Sequence, residues 1–252
     1  MSLKPILRVE VDEVAYQATH GFFKLPDANI QVCSLKAAEQ LQQDQLLPSN
    51  AQIQIGDTWI KSPYDDKYIS IYDYEYVVIK DKINHIIHIA ELLGAKSCDF
   101  DAAWEEIESR TIDVEGHVNY KVIDAQGSLK KLNSDDIQTR YNVTAERIQG
   151  PFNVHTFEEA EKYAKKHFLW SDSDVFSLFQ SRDIKNDLVY DKKNVVTIEM
   201  SNDLNKNLEI AAKLQMMPAR FSLDARFKEI TNKRVKFRIK FIIDFTTVTS
   251  IV

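Results

Sequence analysis

The sequence predicts an α+β fold: an antiparallel, meander-rich β-sheet with helices packed on one face. Three observations predict it. First, Val235, Phe237, Ile239, Phe241, Ile243 and Phe245 alternate with Lys236, Arg238 and Lys240, and strict alternation marks a strand with one buried and one wet face. Second, shorter alternations run through Val196–Met200, Leu208–Met216 and Phe221–Phe227, separated by the turn-prone groups Ser201-Asn202-Asp203, Met217-Pro218-Ala219 and Thr231-Asn232. Connections this short suit antiparallel neighbours and leave no room for parallel crossovers. Third, Ile79, Ile83, Ile86, Ile87, Ala90 and Leu93 form a broad stripe at helical spacing, closed by Gly94, a natural helix stop. Residues 195–245 therefore read as a meander of three or four strands, its apolar side shielded by the chain's own helices.

The remaining elements follow in order. Leu7, Val9 and Val11 predict a first strand, and Asp12–Thr19 a helix ended by Gly21. Phe22, Phe23 and Leu25 read as a buried hook before Pro26. Ser34 caps a helix carrying Leu35, Ala38 and Leu41 on one face. Ile53 and Ile55 read as a brief strand continued by Trp59 and Ile60. Cys98, Phe100, Ala102 and Trp104 alternate, as do Ile112, Val114, Val118, Tyr120 and Val122, giving one bent strand or two with Glu105–Arg110 between them. Asp124-Ala125-Gln126-Gly127 reads as a hairpin turn, Leu129–Gln138 as irregular, and Tyr141, Val143 and Ala145 as a returning strand. Thr156-Phe157-Glu158-Glu159 reads as a capping box for a helix burying Phe157, Ala160, Ala164 and Phe168, and Ser173 caps the next. The whole of 1–252 reads as one α+β domain. If it divides, Gly150-Pro151 is the boundary, giving 1–150 and 151–252.

Composition excludes several function classes. The 252 residues carry a net charge of −6, which gives no bulk attraction to nucleic acid, and no specific nucleic-acid partner is evident. Six glycines, none clustered, leave no dinucleotide fingerprint or P-loop, both of which need adjacent glycines to bring backbone amides to phosphate. Cys33 and Cys98 form no CxxC pair, so no disulfide framework or structural zinc site is expected, and a reducing, cytoplasmic setting suits them. No segment reads as a signal peptide or a transmembrane helix. His85, His88 and Glu91 are spaced three apart, a step that spreads them around a helix rather than gathering them for a metal. No metal site and no cofactor are expected.

Two stretches are candidates for contact. Between Ser62 and Tyr76, Tyr64, Tyr68, Tyr72 and Tyr74 alternate loosely with acidic residues, and tyrosine offers a large rigid apolar body with one polar tip. Packing at the edge of a core is the competing reading of the same rings. The wet face of the last strand carries Lys236, Arg238 and Lys240, flanked by Lys233 and Arg234. That stripe suits either an anionic surface or a solvated edge guarded against aggregation.

No serine-nucleophile elbow, Ser-x-x-Lys or kinase signature is present. The leading expectation is a non-enzymatic interaction or scaffold protein with a protein partner or self-association. A second is a membrane-acting protein making peripheral contact. In the order of its elements, residues 80–245 loosely resemble a gasdermin-type pore-forming domain, a likeness that implies long strands able to reorganise at lipid. A third is an enzyme whose site is assembled from distant residues.

Overall fold

The computed structural model describes residues 3–112, 117–122, 129–144, 146–147, 152–186, 188–189, 192–217, 221 and 223–246. In chain order the elements are β1 (Ile6–Glu10), α1 (Asp12–Thr19), β2 (Ile30–Ser34), α2 (Leu35–Gln43), β3 (Thr58–Lys61), β4 (Tyr68–Ser70), α3 (Tyr74–Leu92), β5 (Ser97–Ile112), β6 (Val118–Val122) and β7 (Leu129–Asn133). They continue with α4 (Ser134–Tyr141), β8 (Glu146–Arg147), α5 (Val154–Lys166), α6 (Ser173–Ser181), β9 (Arg182–Asp183), β10 (Leu188–Val189), β11 (Lys193–Glu199), α7 (Asn202–Ala212), α8 (Ala225–Thr231) and β12 (Lys233–Asp244). The fold is α+β with largely antiparallel sheets. Its backbone divides into two compact units: Met1–Val78, Ile107–Ser128 and Asn202–Val235 form the first, and Ile79–Glu106, Leu129–Ser201 and Lys236–Val252 the second.

The first unit is built on a four-stranded sheet of order β2-β1-β3-β4. β1 and β2 are parallel, joined through α1, and the other pairs are antiparallel. Leu7, Val9, Cys33, Trp59 and Tyr68 pack with Ala38 of α2, while Val32 packs with Ala15 of α1 and with Phe221. Because layers cover both sides, every residue of β1 is buried, as expected where a parallel pair is covered. Arg8 and Glu10 are buried with it and satisfy each other at 2.8 Å. The end of β5 pairs with β6, and Arg110, buried to 1% exposure, donates from Nη1 to the Thr231 carbonyl at 3.0 Å.

In the second unit β11, β12 and the start of β5 lie side by side, with β7 and β8 pairing to β5. Phe237, Ile239, Phe241 and Ile243 are fully buried, and Phe100 meets Phe241 edge-on at 5.6 Å. The α3 stripe from Ile79 to Leu93 is buried as the spacing predicts. So are Phe157, Ala160 and Ala164 of α5 and Val175, Leu178 and Phe179 of α6.

The tail departs from the expected meander. Its two ends are strands, paired antiparallel from Lys193↔Asp244 to Glu199↔Arg238. Between them, the chain from Asn202 is helical, and Leu204, Leu208, Ala211 and Ala212 are the buried residues of α7. Steps of four, three and one mark a helical face; the alternation through Leu208–Met216 shares Leu208 and Ala212 with it, whereas Ile210 is half-buried and Met216 exposed. Phe221–Phe227 leads into α8, capped by Asp224, whose carboxylate accepts from Phe227 N–H at 2.6 Å.

Other corrections are local. Ile53 and Ile55 form no strand, and Ile55 is exposed. Phe22 is exposed to 70% rather than buried. β5 runs unbroken through Glu105–Arg110. Leu129–Gln138 is strand then helix, nucleated by the reciprocal cap of Asn133 and Asp136. Tyr141 ends that helix rather than starting a strand. The caps of α5 and α6 are Asn153 and Asp172, three and one residues before the expected hydroxyls, with Thr156 returning the bond to Asn153 N–H at 3.1 Å. The Gly150-Pro151 boundary, the 124–127 turn and Pro218-Ala219 lie outside the described residues.

Candidate functional site

The structure separates the four tyrosines. Tyr64, Tyr68 and Tyr74 are at most 3% exposed, so their rings present no area to a partner. Tyr68 donates to the Lys4 carbonyl at 2.7 Å, and the Tyr74 hydroxyl receives a bond from Asn207 at 2.7 Å. Their phenols are structural: burial pushes Tyr68 up to about 12 and Tyr74 still higher. Tyr68 borders a cleft of about 460 Å³ with Gln45, Asn50 and Lys67, and Tyr72 lines a second, of about 310 Å³, with Arg8, Gln54, Gly56, Asp57 and Asp224. Its hydroxyl donates to Asp224, and the Arg226 guanidinium lies 4.7 Å from its ring. Burial and then the bond to Asp224 push the Tyr72 phenol up to about 12. The same bond holds the Asp224 carboxyl below its usual range. A phenol this reluctant to ionise is a weak acid that stays protonated near neutrality. Arg8 on the floor of the second cleft bonds Glu10 and Thr58. The cleft is a polar network knitting β1 to the loop before α8.

The basic stripe is balanced inside its own sheet. Lys236 lies 3.5 Å from Glu106, Arg238 3.0 Å from Glu199, and Lys240 pairs with Asp101. Arg234 meets Glu108 at 3.3 Å and Lys233 meets Glu229. Each is a cross-strand or one-turn pair worth a few tenths of a kcal/mol. Little unopposed charge remains on this face to attract an outside anion.

The feature that sequence reasoning missed is the end of α5. The helix stops at Lys166 with His167 as its C-cap. Leu169 N–H then reaches back to the Ala164 carbonyl at 2.9 Å and Phe168 N–H to Lys165 at 3.3 Å. These two bonds are a Schellman turn, whose central residue must be left-handed. That residue is Phe168, at φ 58°. A side chain there costs about 1–2 kcal/mol, which glycine avoids. The turn buries Leu169 and leaves the Phe168 ring 64% exposed, so the strain is not offset by burial. Beside it, Trp170 packs edge-on against Phe176 at 5.3 Å, itself 37% exposed, and Lys165 Nζ sits 4.6 Å over the indole. Lys162, Lys165 and Lys166 are all exposed around this tip. Phe168 and Phe176 are exposed while Trp170 is half-buried and also meets the buried Phe179 at 4.9 Å; exposed aromatic side chains can desolvate against a partner surface.

Among the described residues, no group of three His, Cys, Asp or Glu side chains is placed to hold a metal ion. His88 Nδ1 lies 3.1 Å from Glu91, whereas His85 Nδ1 faces the Tyr163 hydroxyl at 2.7 Å. Burial pushes the Cys33 thiol up to about 11. No helix among the described residues is long and apolar enough to cross a membrane. No protein-family model, curated protein or solved structure matches the chain.

Proposed function

We propose that the protein is a non-enzymatic interaction module whose contact with a protein partner is made where α5 gives way to α6, by Phe168, Trp170 and Phe176. The observation that carries this reading is Phe168, left-handed at φ 58° and 64% exposed. Strained backbone persists where function holds it, and most of this side chain is left uncovered by the fold. Aromatic side chains dominate contact energies because they bring large area with few rotors to fix. The test is affinity capture from the native extract with the full chain and with Phe168→Gly. The variant keeps the turn and loses the ring. Partners bound by the natural chain and lost from the folded variant support the proposal. An unchanged set of captured partners overturns it.

A second reading is favoured by Lys162, Lys165 and Lys166, which are exposed on the last turns of the helix that leads to Phe168. Exposed aromatics with lysines suit the interface of an anionic bilayer, at about 1 kcal/mol per basic residue. Flotation with vesicles containing phosphatidylserine, compared with phosphatidylcholine alone, tests it. Binding to the anionic vesicles that Phe168→Gly weakens supports peripheral contact. Equal recovery with both lipids, or none with either, rejects it.

A further inference from the structure

β11 stands at the end of the sheet order, and among the described residues no strand pairs with its outer side. Met200 N–H bonds the Phe237 carbonyl at 2.7 Å and Phe245 N–H bonds the Lys192 carbonyl at 3.3 Å. Antiparallel partners exchange their bonds at alternate residues. The even-numbered residues of β11 therefore bond to β12, and the backbone groups of the odd-numbered ones point outward. Glu199 agrees with this phase: its N–H meets Asp174 at 3.3 Å and its carbonyl accepts from Lys82 Nζ at 2.6 Å. Lys193, Val195 and Thr197 carry the remaining outward donors and acceptors. All three are exposed, Val195 to 59%. Edges are normally guarded by central charge, proline or a bulge; here the charges stand only at the two ends of the strand.

We propose that this edge pairs with the same edge of a second copy of the chain, antiparallel about a two-fold axis through Val196. What commits the occupant to a second copy is that Lys193-Asn194-Val195-Val196-Thr197-Ile198-Glu199 complements its own reverse. Turned about Val196, Lys193 faces the partner's Glu199, and Val195 faces the partner's Thr197, each twice by symmetry. Val195 and Thr197 then close two hydrogen-bonded pairs across the seam, with β-branched side chains in contact. The signs continue the order already present within one copy. Lys193 stands 3.7 Å from Asp244, and Glu199 stands 3.0 Å from Arg238, so negative, positive, negative and positive groups follow one another across both strands. Turning about Val195 instead sets Lys193 against Thr197 and leaves the charges unmatched. A seam of this length makes a weak, concentration-dependent dimer. It is independent of the α5 tip.

The test is sedimentation of the full chain from micromolar to submillimolar concentration, together with register-specific cross-linking. A monomer–dimer equilibrium is expected. Lys193→Glu sets like charges opposite each other twice and should weaken it about tenfold. Val196→Cys, a change of similar volume, brings two thiols together at a non-hydrogen-bonded pair with Cα atoms about 4.5 Å apart, within disulfide reach. It should cross-link under mild oxidation, and Val195→Cys should do so far less. The native thiols are buried and add no background. Phe168→Gly should leave the equilibrium unchanged. A chain that stays monomeric and is not cross-linked through Val196→Cys overturns the proposal. So does a dimer indifferent to Lys193→Glu, or one lost in Phe168→Gly.

Discussion

Several helices of this protein end on a left-handed turn, α2 on Gln45 among them, and α3 and α5 put the most unlike residues in its critical place. α3 closes with Ala95 N–H on the Ala90 carbonyl and Gly94 at φ 81°; α5 closes with Leu169 N–H on the Ala164 carbonyl and Phe168 at φ 58°. At α3 the glycine is compulsory twice over, because the backbone is left-handed and a Cβ would stand 2.5 Å from Cβ of Phe152. At α5 the largest available deviation from glycine is tolerated, and its ring points at water. The first end is shaped by packing. The second contradicts what packing and propensity ask for, which is where a contact made outside the fold is the economical explanation.

The comparison can be broken at either end. Gly94→Ala should produce the largest effect, a loss of about 2–4 kcal/mol from left-handed strain plus overpacking. Urea denaturation measures it, and the Phe152→Ala background should recover the packing share; a loss below about 1 kcal/mol means the turn is softer than its geometry implies. Asn153→Ala removes the cap at the other end of α5 and should lose about 1 kcal/mol; an unchanged urea midpoint would mean the start of α5 does not depend on its side-chain bond. Lys240→Ala should lose about 0.2–0.5 kcal/mol at low salt and less at high salt. A loss that does not shrink with salt would assign the residue a packing role instead. Asn142→Gly, at the left-handed end of α4, should change stability by no more than a few tenths of a kcal/mol, because asparagine already tolerates that conformation. A thermal scan distinguishes that from the larger gain expected for a strained residue.

The helices were legible wherever apolar spacing, a cap and a stop agreed. α1 spans the expected residues, α2 begins at the expected Ser34 cap, and α3 carries the expected stripe up to Gly94. β12 was legible because six apolar positions alternate without a break. α7 was misread because its run mixed both periods: Leu204, Leu208 and Ala212 satisfy alternation and helical spacing alike, and among the buried residues only Ala211 discriminates between them. Phe168 was misread for a related reason. Phe157, Ala160, Ala164 and Phe168 continue one helical stripe, and one more turn of helix would have buried the ring. The chain reverses at His167 instead and buries Leu169 in its place. The missing signal was the absence of glycine or asparagine where the helix had to stop. The neutralised stripe on β12 could not be read at all, because its acidic partners Asp101 and Glu106 come from β5 and their register exists only in the fold. The tyrosine segment looked like a surface because burial is not a local property: Tyr64, Tyr68 and Tyr74 are packed under chain distant from them in sequence.

The central claim is that the Phe168 ring is kept at a cost to folding. The most direct measurement is the equilibrium stability of Phe168→Gly against the natural chain. Relief of the left-handed strain, less the greater freedom of glycine in the unfolded chain, should raise stability by about 0.5–1 kcal/mol. A fall of similar size would mean that the ring supports the fold, and would contradict the account.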